Sequence, residues 1–329
     1  CLATWEMERV MKATLRRWAP EWFVRLARSI WNAQAQRAEY RYDRRRFARH
    51  SGPEDWGATA KLSGRNLEAQ LTKDYHRVEK GLALREPKKP FGANVLDRLD
   101  MLLPVADEAE YRSHATSARE ALVTWNSGGP IAEEVSPLAT AADRGIADAD
   151  QFFSSRHSVR DYSDREVGDD ILDRAVRLAI NAPSVCNRQS WFVRFYRDPE
   201  DVRHALSFQN GNAGIAHVPA LALVTVDARL FTGSSERHQG FIEGGLFAMT
   251  LSWAVHALGL DSLMLNLSIS SQRMKRLRSG LGVADHEIVI MMMAIGYGRE
   301  GHRIARSPRR PVSEVVLDGI QSEGSGVGS

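Results

Sequence analysis

The nine residues Glu287–Ile295 (EIVIMMMAI) constrain the fold more than any other part of the chain. Eight apolar residues in unbroken succession are too few to cross a bilayer, which takes about 20 in a helix. They show neither the alternation of a strand with one wet face nor the period of a surface helix. A run of this kind is a strand covered on both faces, so helices must lie above and below it. Three more short runs read as strands: Trp191–Tyr196 (WFVRFY), Ala220–Val226 (ALALVTV) and Leu263–Leu267. Helical patterns alternate with them. Asp169–Asn181 places Ile171, Leu172, Ala175, Val176 and Ala179 on one face, Gly240–Leu258 is apolar nearly all round, and Ser271–Ser279 is basic. Buried strands interleaved with helices make this section α/β or α+β.

The first 150 residues have another character. Val10, Leu15, Trp18, Trp22, Leu26, Ile30 and Trp31 recur at helical intervals with arginines between them, and Pro20 starts a turn. Helices are expected at Leu67–Leu84, Asn94–Leu103 and Asp107–Asn126, separated by the loop containing Pro87, Pro90 and Gly92. The stretch from Ser127 to Asp150, acidic and Ala-rich beyond SGGP, reads as a linker. Three units are therefore expected: a helical extension over 1–150, a second domain over 151–320 and a flexible tail over 321–329. The chain opens on Cys1, so further residues are expected upstream.

Charge divides the chain in the same way. The net charge is +3 overall, yet residues 1–50 alone hold twelve Lys/Arg against five Asp/Glu, which leaves the other 279 residues at −4. The bulk of the chain is not a surface for nucleic acid, and any basic role belongs to the first fifty residues. There the run YRYDRRRFARH at Tyr40–His50 reads either as a membrane-surface or nucleic-acid patch or as the wet face of a helix packed by its aromatics. The longest apolar stretch, Gly244–Leu260, is broken by Ser252 and His256 and fits a buried helix better than a membrane span. No secretory leader is expected. Two cysteines, Cys1 and Cys186, allow neither a disulfide framework nor a Cys/His metal site, so a cytoplasmic, metal-free protein is expected.

Two segments carry chemistry. In Ser155–Tyr162 (SRHSVRDY), Arg156, Ser158 and Arg160 share one side if the backbone is extended, and two guanidinium forks with a hydroxyl suit a phosphate. The alternative is a solvated basic turn. In Ala182–Trp191 (APSVCNRQSW), Ser184, Asn187 and Gln189 form a polar loop leading into a strand, and their donors and acceptors suit the edge of a heterocycle and its polyol chain. The alternative is an ordinary helix–strand turn. A third match, Gly296-Tyr-Gly298-Arg-Glu-Gly301, has the spacing of a dinucleotide loop. It follows a strand but leads into HRIARSPRRP, so the required helix and second strand cannot form.

Together, R-H-S-x-R and A-P-S-x-x-N-x-Q-x-W closely resemble the flavin-dependent nitroreductase family. Glu243-Gly244-Gly245, the turn at Ala257–Leu260, Ala294–Gly298 and Arg309–Val316 follow in the family's order. The resemblance implies the family's α+β fold, a central mixed or antiparallel sheet flanked by helices. It implies FMN as cofactor, with Arg156, His157, Ser158 and Arg160 near its phosphate and ribityl end. Arg309 and Arg310 would return to the phosphate. Pro183, Ser184, Asn187 and Gln189 would lie along the ring and ribityl chain, Asn212 would add a polar contact, and the backbone around Leu265–Asn266–Leu267 would face the flavin N5 edge. Arg188 and Arg160 are the candidates for a charge near the N1/C2 carbonyl. Ser190 stands where the family usually has Pro.

The implied activity is transfer of electrons from NAD(P)H to a nitro-, quinone- or enone-like small molecule, in a homodimer with FMN at the interface. Asp74-Tyr-His-Arg-Val-Glu-Lys-Gly-Leu resembles the extension of nitroreductase-like proteins from bacterial polysaccharide gene clusters, which leaves a flavin-dependent tailoring dehydrogenase or a membrane-surface accessory as alternatives. His76, Glu79 and Lys80 are expected to be an ion-paired helix surface rather than catalytic.

Overall fold

The computed structural model describes residues 20–52, 62, 64–84, 86–137, 147–302, 304, 309 and 311–316. The periodic residues Val10, Leu15 and Trp18, the candidate ligand Arg310 and the tail 321–329 lie outside that set.

The C-terminal section is built on four antiparallel strands, β1 (Trp191–Tyr196), β2 (Ala220–Asp227), β3 (Asp261–Asn266) and β4 (Glu287–Gly296), in the order β1-β2-β4-β3. All eight residues of β2 are buried, as the central position demands. Alternation sends Ala220, Ala222, Val224 and Val226 to one face and Leu221 and Leu223 to the other. The first face is covered by α6 (Asp169–Ala179) and α8 (Gln239–Ala257), the second by α7 (Pro199–Leu206) and α9 (Ser271–Leu281). Helix α8 comes close because its glycines face the sheet: a Cβ on Gly244 would sit 2.3 Å from Ile290 Cγ1. Trp191 stacks on Phe247 with centroids 5.2 Å apart, tying β1 to the same helix.

The preceding section is helical: α1 (Glu21–His50), α2 (Gly64–Leu82), α3 (Ala93–Leu102) and α4 (Glu110–Asn126). Helices α2–α4 enclose their own core, including Leu71, Val78, Leu99 and Leu122. The buried carboxylate of Asp74 is held by Gln70 (2.8 Å), Arg77 (3.0 Å) and Arg98 (2.8 Å). Helix α1 reaches the sheet section through Phe47 and through Gly52, whose N–H donates to the Phe231 carbonyl at 2.8 Å. Helix α2 packs on the turn at Val185–Asn187.

Expected elements and observed ones differ in two places. Asp148–Pro199 was expected to hold one helix, yet α5 (Ala149–Ser155) begins inside the expected linker, capped by the Asp148 side chain. Helix α7 follows β1 directly, with Asp198 accepting from the N–H groups of Glu200 and Asp201 and Pro199 at its first position. Among the described residues no helix is long and apolar enough to cross a membrane. A short α10 (Val312–Val315) closes the described chain.

Candidate functional site

The basic segment and the polar loop are set in place by different elements. Helix α5 lays Phe152 and Phe153 on Trp253 of α8, with centroids 5.3 and 4.6 Å away, and Ser155 Oγ lies 2.9 Å from His256 Nε2. The chain leaves α5 extended. Ser158 pairs in parallel with Ser262 of β3, and the Val159 N–H donates to the Ser262 carbonyl at 3.2 Å. Arg156, Ser158 and Arg160 therefore do share one side. Neither arginine has a carboxylate partner among the described residues. The Arg156 guanidinium lies 5.7 Å from the Trp253 ring, and Arg160 donates only to the Ser158 carbonyl, at 3.3 Å. His157 is half-buried between them. Two unpaired guanidiniums beside a hydroxyl fit a phosphate dianion.

The polar loop is held by buried charge. Glu243 of α8 is fully buried, and its carboxylate accepts from the Val185 N–H (2.8 Å) and the Ser190 hydroxyl (2.6 Å). Burial pushes the Glu243 carboxyl above its ordinary range, against the pull of those two hydrogen bonds. Arg188 is buried too, donating to Glu236 (2.7 Å) and to the Val185 carbonyl (3.1 Å). Between these anchors Cys186, Asn187 and Gln189 take left-handed backbone angles, φ 50°, 54° and 47°, at non-glycine positions. That strain is over-determined by the anchors and turns Asn187 and Gln189 to solvent. Ser184 Oγ accepts from the Gln189 N–H at 3.1 Å, and Pro183 is exposed beside it.

Sequence reasoning missed Glu243 as a loop anchor and left Arg188 and Arg160 as alternatives for a charge near the flavin carbonyl. The Arg188 side chain has no exposure and pairs with Glu236 through Nη2, while its Nη1 is buried without a hydrogen-bond partner among the described residues. The signal for Glu243 was a carboxylate inside an otherwise apolar helix, and the signal for its partner was Ser190 in the place of the family's usual Pro.

Other candidates fall elsewhere. The Asn212 amide nitrogen donates to the Leu206 carbonyl (2.6 Å) at the end of α7, leaving its oxygen to offer a contact. The Asn266 carbonyl accepts from Gln209 (3.0 Å), and its side-chain oxygen accepts from the Ser268 N–H (3.1 Å). Arg309 is exposed. His76 pairs with Glu79 at 2.8 Å, the ion-paired helix surface that was expected. The glycine turn after β4 opens no helix; the Gly298 N–H donates to Asp261 instead, at 2.9 Å.

The two segments do not meet within one chain. Ser158 lies outside β3, one edge of the sheet, and the polar loop feeds β1, the other edge. Trp191 aligns through Val226 with Ile288, whereas Ser262 aligns with Ile295, at the other end of β4. Four strand spacings across and seven residues along place the segments at diagonal corners, about 30 Å apart.

Residues 153–208 match the model of the nitroreductase family. The matched stretch includes both the basic segment and the polar loop. A relative from Archaeoglobus fulgidus, named for NADH dehydrogenase/NAD(P)H nitroreductase, is 26% identical over 147 residues, covering 44% of this chain and 83% of the relative. An NADH dehydrogenase from Thermus thermophilus is 26% identical over 204 residues, 52% of this chain and 96% of that one. Among solved structures, a nitroreductase described in complex with FMN from Desulfovibrio desulfuricans shares 22% identity and a TM-score of 0.45, over 52% of this chain and 96% of that one.

Proposed function

We propose that this protein is an FMN-dependent oxidoreductase that takes electrons from NAD(P)H and passes them to a nitro-, quinone- or enone-like small molecule. The observation that carries the reading is the pair of guanidiniums, Arg156 and Arg160, without carboxylate partners among the described residues, around Ser158 on an extended segment. FMN supplies the hydride and electron transfer when bound, and the protein binds, orients and tunes it.

In this reading residues 151–320 form the flavin domain and 1–150 an extension. Arg156, His157, Ser158 and Arg160 hold the phosphate and ribityl end, with Arg309 and Arg310 returning to it. Pro183, Ser184, Asn187 and Gln189 line the ring, Asn212 offers its side-chain oxygen, and the backbone at Leu265–Leu267 faces the N5 edge. Arg188 or Arg160 supplies the charge that stabilises the reduced ring. Because the two segments stand at diagonal corners of one sheet, the site needs a homodimer, in which the loop of one protomer meets the 156–160 segment of its partner. The apolar helix α8 supports this: Phe241, Ile242 and Leu246 are 52%, 53% and 40% exposed on a helix that is apolar all round. The scarcity of cysteine supports a cytoplasmic setting.

A second reading adds weak contact with a membrane surface, supported by Trp22, Leu26 and Ile30, which form an exposed stripe on α1 at four-residue spacing, flanked by Arg25 and Arg28.

The test is the absorbance of the protein as purified. The wild type is expected to carry one FMN per protomer and to oxidise NAD(P)H with a quinone or nitroarene, while Arg156→Ala with Arg160→Ala loses the flavin. Full flavin retention in that double variant overturns the site assignment.

A further inference from the structure

A cleft of about 790 Å³ opens between α1 and α9, away from both flavin segments. Its walls carry six cationic side chains, Arg41, Arg45, Arg46, Arg49, Lys275 and Arg278, against the single carboxylate of Asp285. Asp285 is already shared by Arg49 (3.0 Å), His50 (2.9 Å) and Arg46 (3.4 Å). Arg41, Arg45 and Lys275 have no acidic partner among the described residues; Lys275 lies 5.2 Å from the Tyr42 ring.

The buried members make the imbalance costly. Arg278 is 7% exposed, donates to the Ala284 carbonyl at 2.6 Å and to the Glu287 carbonyl, and leaves its Nε buried without a hydrogen-bond partner. Arg46 donates to the same Glu287 carbonyl at 2.8 Å, so two guanidiniums crowd one backbone oxygen. Burial, and next the charge of Arg46, hold Arg278 below its ordinary range. A fold that buries like charges side by side, with neutral carbonyls as their main partners, gains from any anion that enters.

The cleft also offers more than charge. It shares Tyr42, Arg46, Ser271 and Arg278 with a smaller cavity of about 330 Å³, where Met274 and Ile290 stand beside the carboxylates of Glu39 and Asp43 and which reaches Asn266 and Leu267. Glu39 accepts from the Ser271 N–H (2.9 Å) and hydroxyl (3.1 Å) at the start of α9. Asp43, on the side of the smaller cavity, is pushed up by burial. The larger cleft is a cationic cavity of a size that suits a nucleotide.

We propose that the cleft between α1 and α9 is a binding site for a phosphate-bearing small molecule of nucleotide size, with Arg41, Arg45 and Lys275 meeting the phosphates and Arg278 supporting them from below. The site belongs to the extension and its seam with the sheet domain, and it stands whether or not the flavin reading holds. Free nucleotides and lipid headgroups share this chemistry.

The test is calorimetric titration of the full-length protein, saturated with added FMN, with ADP and with pyrophosphate at low salt, alongside co-sedimentation with phosphatidylglycerol vesicles. Wild type is expected to bind ADP or pyrophosphate, and Arg41→Gln with Arg45→Gln and Lys275→Gln to bind at least about tenfold more weakly. Arg37→Gln with Arg44→Gln, which removes exposed charges from α1 outside the cleft lining, is expected to bind as wild type. Vesicle binding lost only in the triple variant, without binding of soluble phosphates, supports the site with a lipid headgroup as its occupant. No binding of any probe by wild type, or equal losses in the triple and control variants, overturns the proposal. Unchanged circular dichroism in both variants excludes misfolding as the cause of a loss.

Discussion

Glu243 shows how a single buried carboxylate shapes the loop that stands over the candidate cofactor site. Its two oxygens satisfy a backbone N–H and a hydroxyl that would otherwise be stranded in an apolar interior. Glu243→Ala strands both, and a loss of about 2–4 kcal/mol in urea denaturation is expected, with weaker FMN retention as the loop relaxes. Asp285 makes the opposite case at the surface. The His50 hydrogen bond and the Arg46 charge push its carboxyl down to about 2. A depressed carboxyl lends stability that is present above its ordinary value and lost as pH falls through the folded one. Wild-type melting temperature is therefore expected to fall between about pH 4 and pH 2, and the fall to be shallower in Asp285→Asn. Neither role was legible from neighbouring residues alone, because both partners come from far along the chain.

Helices and strands were far more legible. The strand Trp191–Tyr196 is as the sequence predicts, and Glu287–Ile295 extends by one residue to Gly296. Periodicity is a property of consecutive residues, so it survives without knowledge of the fold. Helix α7 escaped notice although Asp198-Pro199 carries its cap, because eight residues give too little period to stand out. Packing distance was not legible either. Gly244 reads as helix-weakening in isolation, yet it lets α8 approach β4. Gly244→Ala forces a methyl onto the Ile290 side chain, and a loss of about 1–3 kcal/mol is expected in thermal melts. Across the strands, Glu287 of β4 accepts from Arg194 of β1 at 2.6 and 2.7 Å and from Thr225 of β2, so a charge pair locks three strands in register. Burial alone would raise the Glu287 carboxyl, but the Arg194 and Thr225 hydrogen bonds hold it below its ordinary range.

For the whole molecule, the decisive fact is the distance between the two chemical segments. A flavin cannot touch both corners of one sheet about 30 Å apart, so the cofactor reading and the dimer reading stand or fall together. The exposed face of α8 is where that link is testable. Ile242→Glu places a charge on the exposed apolar face without touching the loop or the basic segment, and it is expected to yield a monomer in analytical ultracentrifugation that has lost its FMN. A dimer that persists with full flavin places the subunit contact elsewhere.

By itself the sequence determined which segments become strands and helices and which short motifs carry charge and amide groups. Those traits depend on residues a few positions apart. Only the tertiary structure decided that Arg188 pairs with Glu236, that Ser190 pairs with Glu243, and that six cations converge between α1 and α9. The buried strand Glu287–Ile295 marks the border between the two. Its apolar run announces that both faces are covered, but the covering helices and its neighbours β2 and β3 are chosen by long-range packing, where volume and paired charge rather than period set the free energy.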